Sequence, residues 1–107
     1  MEFRRHKYNA RRTVVDGHSF PSRKEASRYT ELKLLERAGK VSDLQLQVRM
    51  PLDVNGINCG HYVCDFVYWD ADKNCKIWED TKGFLTDVAK LKLRLVRAIY
   101  GIEVLLS

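Results

Sequence analysis

Asp65, Asp80 and Lys82 are charged residues set in stretches that otherwise have little room for charge. Tyr62 to Trp69 and Cys75 to Thr81 are rich in aromatic and β-branched residues, and Asp70 to Asn74 between them is all turn chemistry. That pattern predicts two strands joined by a polar turn. Period 2 puts Asp80 and Lys82 on one face of the second strand and sends Glu79 and Thr81 to the other. Glu79 therefore competes with Asp80 as the working acid but faces away from Lys82. Folding symmetrically about Asp72 and Lys73 brings Asp65 directly opposite Asp80, with Cβ atoms ~4.5–5.5 Å apart. Two carboxylates that close repel, and a buried pair needs a cation or a proton to exist. A divalent metal between them, with a lysine beside it, is the chemistry this spacing points to. A surface hairpin with its charges in water is the bland alternative, and the hairpin alone leaves it open.

The elements that must position these residues follow from the rest of the chain. Asp16-Gly17, flanked by Val14, Val15 and Phe20, predicts a small hairpin with a type I′ turn. His18 beside that turn reads as structural or exposed. A first long helix is expected from Arg23 to Ala38, opened by Pro21 and Ser22 and closed by Gly39. Ser22 and Glu25 fit a capping box. Glu25 also shares its helical direction with Tyr29 and Leu32, in the apolar stripe completed by Leu35, so it equally fits a carboxylate turned onto a sheet. Both readings stand at this point.

Val41 to Val54 follows as a strand in which Leu44, Leu46, Val48, Met50 and Leu52 alternate with polar residues. Pro51 assigns it to a sheet edge or ends its hydrogen bonding there. Asn55-Gly56 predicts a tight turn into the strand that carries Asp65. A second helix is expected from Asp87 to Tyr100, stopped by Gly101, then a short strand from Ile102 to Leu106. Its apolar stripe reads as Val88, Leu91, Leu95, Ala98 and Ile99. Lys90, Arg94 and Arg97 line a neighbouring face, usually a solvated one, though phosphates held at the acidic patch would need cations there.

The 107 residues suit one domain, residues 13–107, behind a basic arm of residues 1–12. Arg4, Arg5, Lys7, Arg11 and Arg12 face one acid, Glu2, in that arm, so most of the net charge of +5 sits there. A basic arm on a near-neutral body is a footprint of nucleic-acid binding and also of a solubility tail. No run is long and apolar enough to span a membrane, and no signal peptide is visible, so no membrane partner and a cytoplasmic location are expected. Cys59, Cys64 and Cys75 read as reduced, small buried hydrophobes; a zinc site with His61 is disfavoured because strand alternation separates Cys59 from Cys64.

The order helix, three strands, helix, strand resembles the αβββαβ core of the PD-(D/E)XK nuclease superfamily. Asp65 and Asp80-Thr81-Lys82 fall where that superfamily keeps an acid and then acid-x-Lys, and Glu25 matches its frequent first-helix glutamate. The superfamily's leading proline is absent, since Tyr62, Val63 and Cys64 precede Asp65. More closely, Lys7-Tyr-Asn-Ala, Val14-Val-Asp-Gly, Phe20-Pro-Ser-Arg-Lys-Glu-Ala and Glu79-Asp-Thr-Lys-Gly resemble a family of small phage-encoded proteins placed in this superfamily.

The resemblance implies an α/β (α+β) fold, a restriction-endonuclease-like core with a mixed central sheet flanked by two helices. It implies hydrolysis of DNA phosphodiester bonds with Mg²⁺, or Mn²⁺ in its place. Asp65, Asp80 and the Thr81 carbonyl would hold the metal, with Glu25 as a direct or water-mediated ligand, and Lys82 would orient the attacking water. Branched-DNA resolvases of the superfamily are dimers, so Holliday-junction cleavage by a homodimer, in a host cell's cytoplasm if phage-encoded, is the expected activity. The alternative is a nucleic-acid-binding module of the same fold that has lost catalysis. A partner-binding phage protein would leave the charges to solubility alone.

Overall fold

The computed structural model describes residues 12–81 and 84–107. Strands β1 (Thr13–Val15) and β2 (His18–Phe20) pair antiparallel across Asp16 and Gly17, whose φ values of 52° and 79° are those a type I′ turn demands. Helix α1 (Arg23–Arg37) follows, with the Ser22 hydroxyl accepting from Glu25 N at 3.2 Å. Glu25, Ala26, Tyr29 and Leu32 form its buried face, as the stripe predicts, while Leu35 lies at the margin.

β3 (Val41–Val54), β4 (Ile57–Asp70), β5 (Cys75–Asp80) and β6 (Leu105–Leu106) form a four-stranded sheet in that order. β3–β4 and β4–β5 are antiparallel and β5–β6 is parallel, so the sheet is mixed. The fold is therefore α+β, with the element order αβββαβ after the first hairpin. Pro51 lies on edge strand β3, where it costs no ladder bond to a further strand. The β4–β5 turn is fixed by Asp70, whose Oδ1 accepts from the backbone N–H of Asp72 and Lys73 at 2.9 and 3.0 Å. Helix α2 (Asp87–Tyr100) is capped by the Thr86 hydroxyl and ended by Gly101 at φ 69°.

Each helix builds one core. Phe20, Ala26, Tyr29 and Leu32 pack with Leu44, Leu46, Phe66, Tyr68 and Ile77. Met50, Leu52, Tyr62, Cys64, Val67 and Trp78 pack with Leu93, Val96 and Ile99 of α2. The expected single face for Leu44 to Leu52 is corrected here: Leu46 belongs to the α1 core and Val48 to the α2 core. The hand-over falls at Gln47, a non-glycine residue at φ 52°, and β4 makes the same change between Phe66 and Cys64. The pairs Leu46–Phe66 and Val48–Cys64 keep one register across it, so both strands turn together.

The apolar stripe read on α2 holds at Leu95 and Ile99, which pack in the α2 core, and is corrected at its other positions. Val88 and Leu91 are 62% and 49% exposed, whereas Val96 is fully buried and Leu93 packs beside it. Apolar residues occupy more than one side of this helix. The side that wins is the one continued by Ile102 and Val104 into the same core. No helix among the described residues is long and apolar enough to cross a membrane.

Candidate functional site

The β4–β5 register is the one the sequence predicts, running from Asp70–Cys75 to Phe66–Glu79. Asp65 is next on β4 and Asp80 next on β5, so the two acids close that end of the ladder. Both are buried, at 7% and 0% exposure. Asp65 Oδ2 accepts from Thr81 N and Thr81 Oγ1, each at 3.0 Å. Asp80 Oδ2 accepts a short hydrogen bond from the Tyr62 hydroxyl. Burial first, then the bond to Asp80, keeps that phenol far above its ordinary range. Burial, then the negative charges of Asp80 and Asp65, push the Cys64 thiol up to about 12.

Glu25 completes the cluster from α1. It is 3% exposed and accepts from Gln47 Nε2 of β3 at 2.6 Å, and the same nitrogen donates to Asp65 Oδ1 at 3.3 Å. The Ser22–Glu25 N bond of the cap is present together with this turn onto the sheet, so capping the helix and reaching the site are compatible. Three strands and one helix thus contribute Glu25, Gln47, Asp65, Asp80 and Thr81 to one region. Gln47 was not anticipated from sequence; its only mark there is a polar residue in an alternating strand.

Glu79 takes the other face, as alternation predicts, and is not idle there. Its carboxylate is fully buried and accepts from Arg28 Nε at 2.5 Å, Arg28 Nη2 at 3.0 Å and the Tyr68 hydroxyl at 2.5 Å. Burial pushes this carboxyl up, but the bonds from Arg28 and Tyr68 outweigh it and leave it below the ordinary carboxylate value. The same contact holds the Arg28 guanidinium more firmly protonated than usual. Sequence reasoning missed this pair because nothing local links residues 28 and 79.

Lys82 lies outside the described residues, as do Arg4, Arg5, Lys7 and Arg11 of the arm. Arg12 is exposed, and so are Lys90, Arg94 and Arg97 on α2, a solvated basic face. Tyr62 also lines a shallow cavity of about 300 Å³ with His61, Thr86 and Lys92. Cys64 is buried, whereas Cys59 and Cys75 are exposed, which corrects the reading of all three as core residues. Cys59 follows the Asn55-Gly56 turn and Cys75 the Asp70–Asn74 turn, where the sheet has no cover.

Hard oxygen donors are the right type for Mg²⁺ or Mn²⁺. Among the described residues, however, no group of three His, Cys, Asp or Glu side chains is arranged to hold a metal by itself. The carboxylates fit a cation in type and burial, with water or other oxygens needed to complete its shell. No curated protein and no solved structure matches the chain. Over residues 5–105 it matches the family described as "Protein of unknown function (DUF1064)", and it belongs to that family.

Proposed function

We propose that the protein is a metal-dependent DNA endonuclease that hydrolyses phosphodiester bonds at branched DNA. The observation that carries this reading is the pair of buried acids Asp65 and Asp80 at the end of the β4–β5 ladder, with buried Glu25 linked to Asp65 through the Gln47 amide. Burying carboxylates close together is costly, and buried acids of this kind gather at functional sites. The nuclease resemblance, through Asp80-Thr81-Lys82 and the basic arm, supplies the substrate class.

Asp65 and Asp80 would hold Mg²⁺, with Glu25 reaching it directly or through water. Mg²⁺ characteristically takes one or two carboxylates and keeps several waters, so the absence of a three-ligand protein group among the described residues is compatible with it. When bound, the ion would lower the pKa of a coordinated water and offset charge on the scissile phosphate. Thr81 fixes the Asp65 carboxylate through two donors to one oxygen, which directs the other oxygen toward Gln47 and Glu25. Tyr62 holds one Asp80 oxygen with a single hydrogen bond. Lys82, on sequence grounds alone, would orient the attacking water and balance charge developing on the phosphate. Lys90, Arg94 and Arg97, with the arm, would bind flanking phosphates.

Because no three-ligand group is present among the described residues, one second reading is kept beside it, a binding module of the same fold without catalysis. The deciding experiment is incubation with linear, single-stranded, flapped and four-way DNA in Mg²⁺. The endonuclease reading expects nicks in the branched substrates, abolished by a chelator, and a homodimer on the four-way junction. Salt-sensitive DNA binding with no cleavage in Mg²⁺ or Mn²⁺ would replace it with the second reading.

A further inference from the structure

We infer that Gln47 is a placeholder in the acidic site, its amide nitrogen standing where a divalent cation binds and having to leave before one enters. The inference rests on the metal-site reading above. Gln47 Nε2 donates to Glu25 Oε2 at 2.6 Å and to Asp65 Oδ1 at 3.3 Å, so one nitrogen fills the space between two carboxylates from different elements. A Mg²⁺ or Mn²⁺ ion bound by either oxygen at ~2.0–2.2 Å needs that same space. The amide nitrogen offers two N–H donors and carries no net charge of its own.

Exposure has the right sense for displacement. Glu25 and Asp65 are 3% and 7% exposed, while Gln47 as a residue is exposed and its bonds to them are part-buried. The backbone agrees. Gln47 holds φ 52° in the middle of a 14-residue strand, a conformation an unbranched L residue adopts only where its surroundings impose it. That break is where β3 passes from one core to the other, and it releases the side chain from the regular pleat toward α1. A glutamine is a suitable occupant: its unbranched stem is long enough to reach both acids, and its amide leaves without moving the backbone.

The test measures cation binding directly, by electron paramagnetic resonance of free Mn²⁺, and melting temperatures with and without Mn²⁺. The variants are Gln47→Gly, which accepts the positive φ and removes the amide, and Gln47→Asn, which tolerates the same φ but is too short to span both acids. Both are expected to bind Mn²⁺ roughly tenfold more tightly, the scale of one hydrogen bond to a charged group. The gap between metal-free and Mn²⁺-loaded melting temperatures should widen accordingly. Unchanged or weaker binding in either folded variant, beside normal binding by the parent, would overturn the placeholder and leave the metal site standing. No Mn²⁺ binding by the parent or either variant would overturn the metal site and the placeholder with it.

Discussion

Glu79 and Asp80 are neighbours in the chain, and they anchor two acidic clusters of opposite design. Glu79 faces α1, where Arg28 and Tyr68 supply three donors and a full positive charge. That cluster is electrically closed without any ligand. Asp80 faces the other way, toward Tyr62, and stands next to Asp65 at the end of the β4–β5 ladder. Asp65 accepts there from a hydroxyl, a backbone N–H and the Gln47 amide, all neutral. The contrast separates a buried acid, Glu79, held by an arginine from another element, from a buried acid, Asp65, held by neutral donors. Burial alone does not distinguish them, since Glu79 and Asp80 are equally inaccessible.

The largest effect expected from this contrast is on stability. Arg28→Met keeps the apolar stem but leaves Glu79 buried without its cation, which should cost about 3–5 kcal/mol at pH 7. The pH dependence should reverse as well. In the parent the Glu79 pKa is depressed, so its stabilisation is present above the unfolded value near 4.5 and is lost as pH falls through the lower folded value. Without Arg28, burial prevails and the folded pKa rises above the unfolded one. Protonating Glu79 then favours the fold, and the variant should gain stability as pH falls from 7 toward 5. Thermal melts across that range check both signs. A variant that loses stability in parallel with the parent would show that Arg28 does not carry the Glu79 charge.

How far these clusters were legible in the sequence differs for the same reason. Local signals worked: Asp16-Gly17 and Asn55-Gly56 made their turns, and the Asp70–Asn74 turn set the register that brings Asp65 to Asp80. Alternation also separated Glu79 from Asp80 correctly. What alternation lacked was a partner for Glu79, because Arg28 lies 51 residues earlier on a helix whose docking angle is a tertiary property. Gln47 was hidden differently. A positive φ at glutamine has no sequence mark, and the strand around it keeps an unbroken period of 2 through the position where it changes cores. The α2 stripe was ambiguous because apolar residues lie on more than one side, and only packing against the sheet chose between them.

Next in size is the loss of activity on the other face. Asp80→Asn removes a ligand charge while conserving shape, and its side-chain oxygen still accepts from Tyr62. Cleavage of branched DNA should fall by roughly 10²–10³-fold, comparable with the loss of one preorganised charge-stabilising group. Metal-free stability should hold or rise, because the repulsion with Asp65 is relieved. Paired with Arg28→Met, this sets a stability effect without a role in chemistry against a chemical effect without a stability cost. If Asp80→Asn cleaves like the parent and unfolds like Arg28→Met, the assignment of the two faces is inverted.

The smallest effect sharpens where the Arg28 energy goes. Arg28 also reaches Glu31, one turn along α1, with Nη1 donating to Oε1 at 3.2 Å. The Glu31 side chain is 65% exposed, so water competes for both partners and salt screens the pair. Glu31→Gln keeps a hydrogen-bonding side chain and should cost no more than about 0.5 kcal/mol, fading further in high salt. Arg28 would then still hold Glu79, because the Nε and Nη2 bonds to that carboxylate do not involve the Nη1 atom used by Glu31. Melts of Glu31→Gln at low and high salt, beside Arg28→Met, partition the guanidinium between its two acids. A cost for Glu31→Gln approaching that of Arg28→Met would mean that the exposed glutamate positions the arginine, and that the Glu79 cluster is not closed by Arg28 and Tyr68 alone.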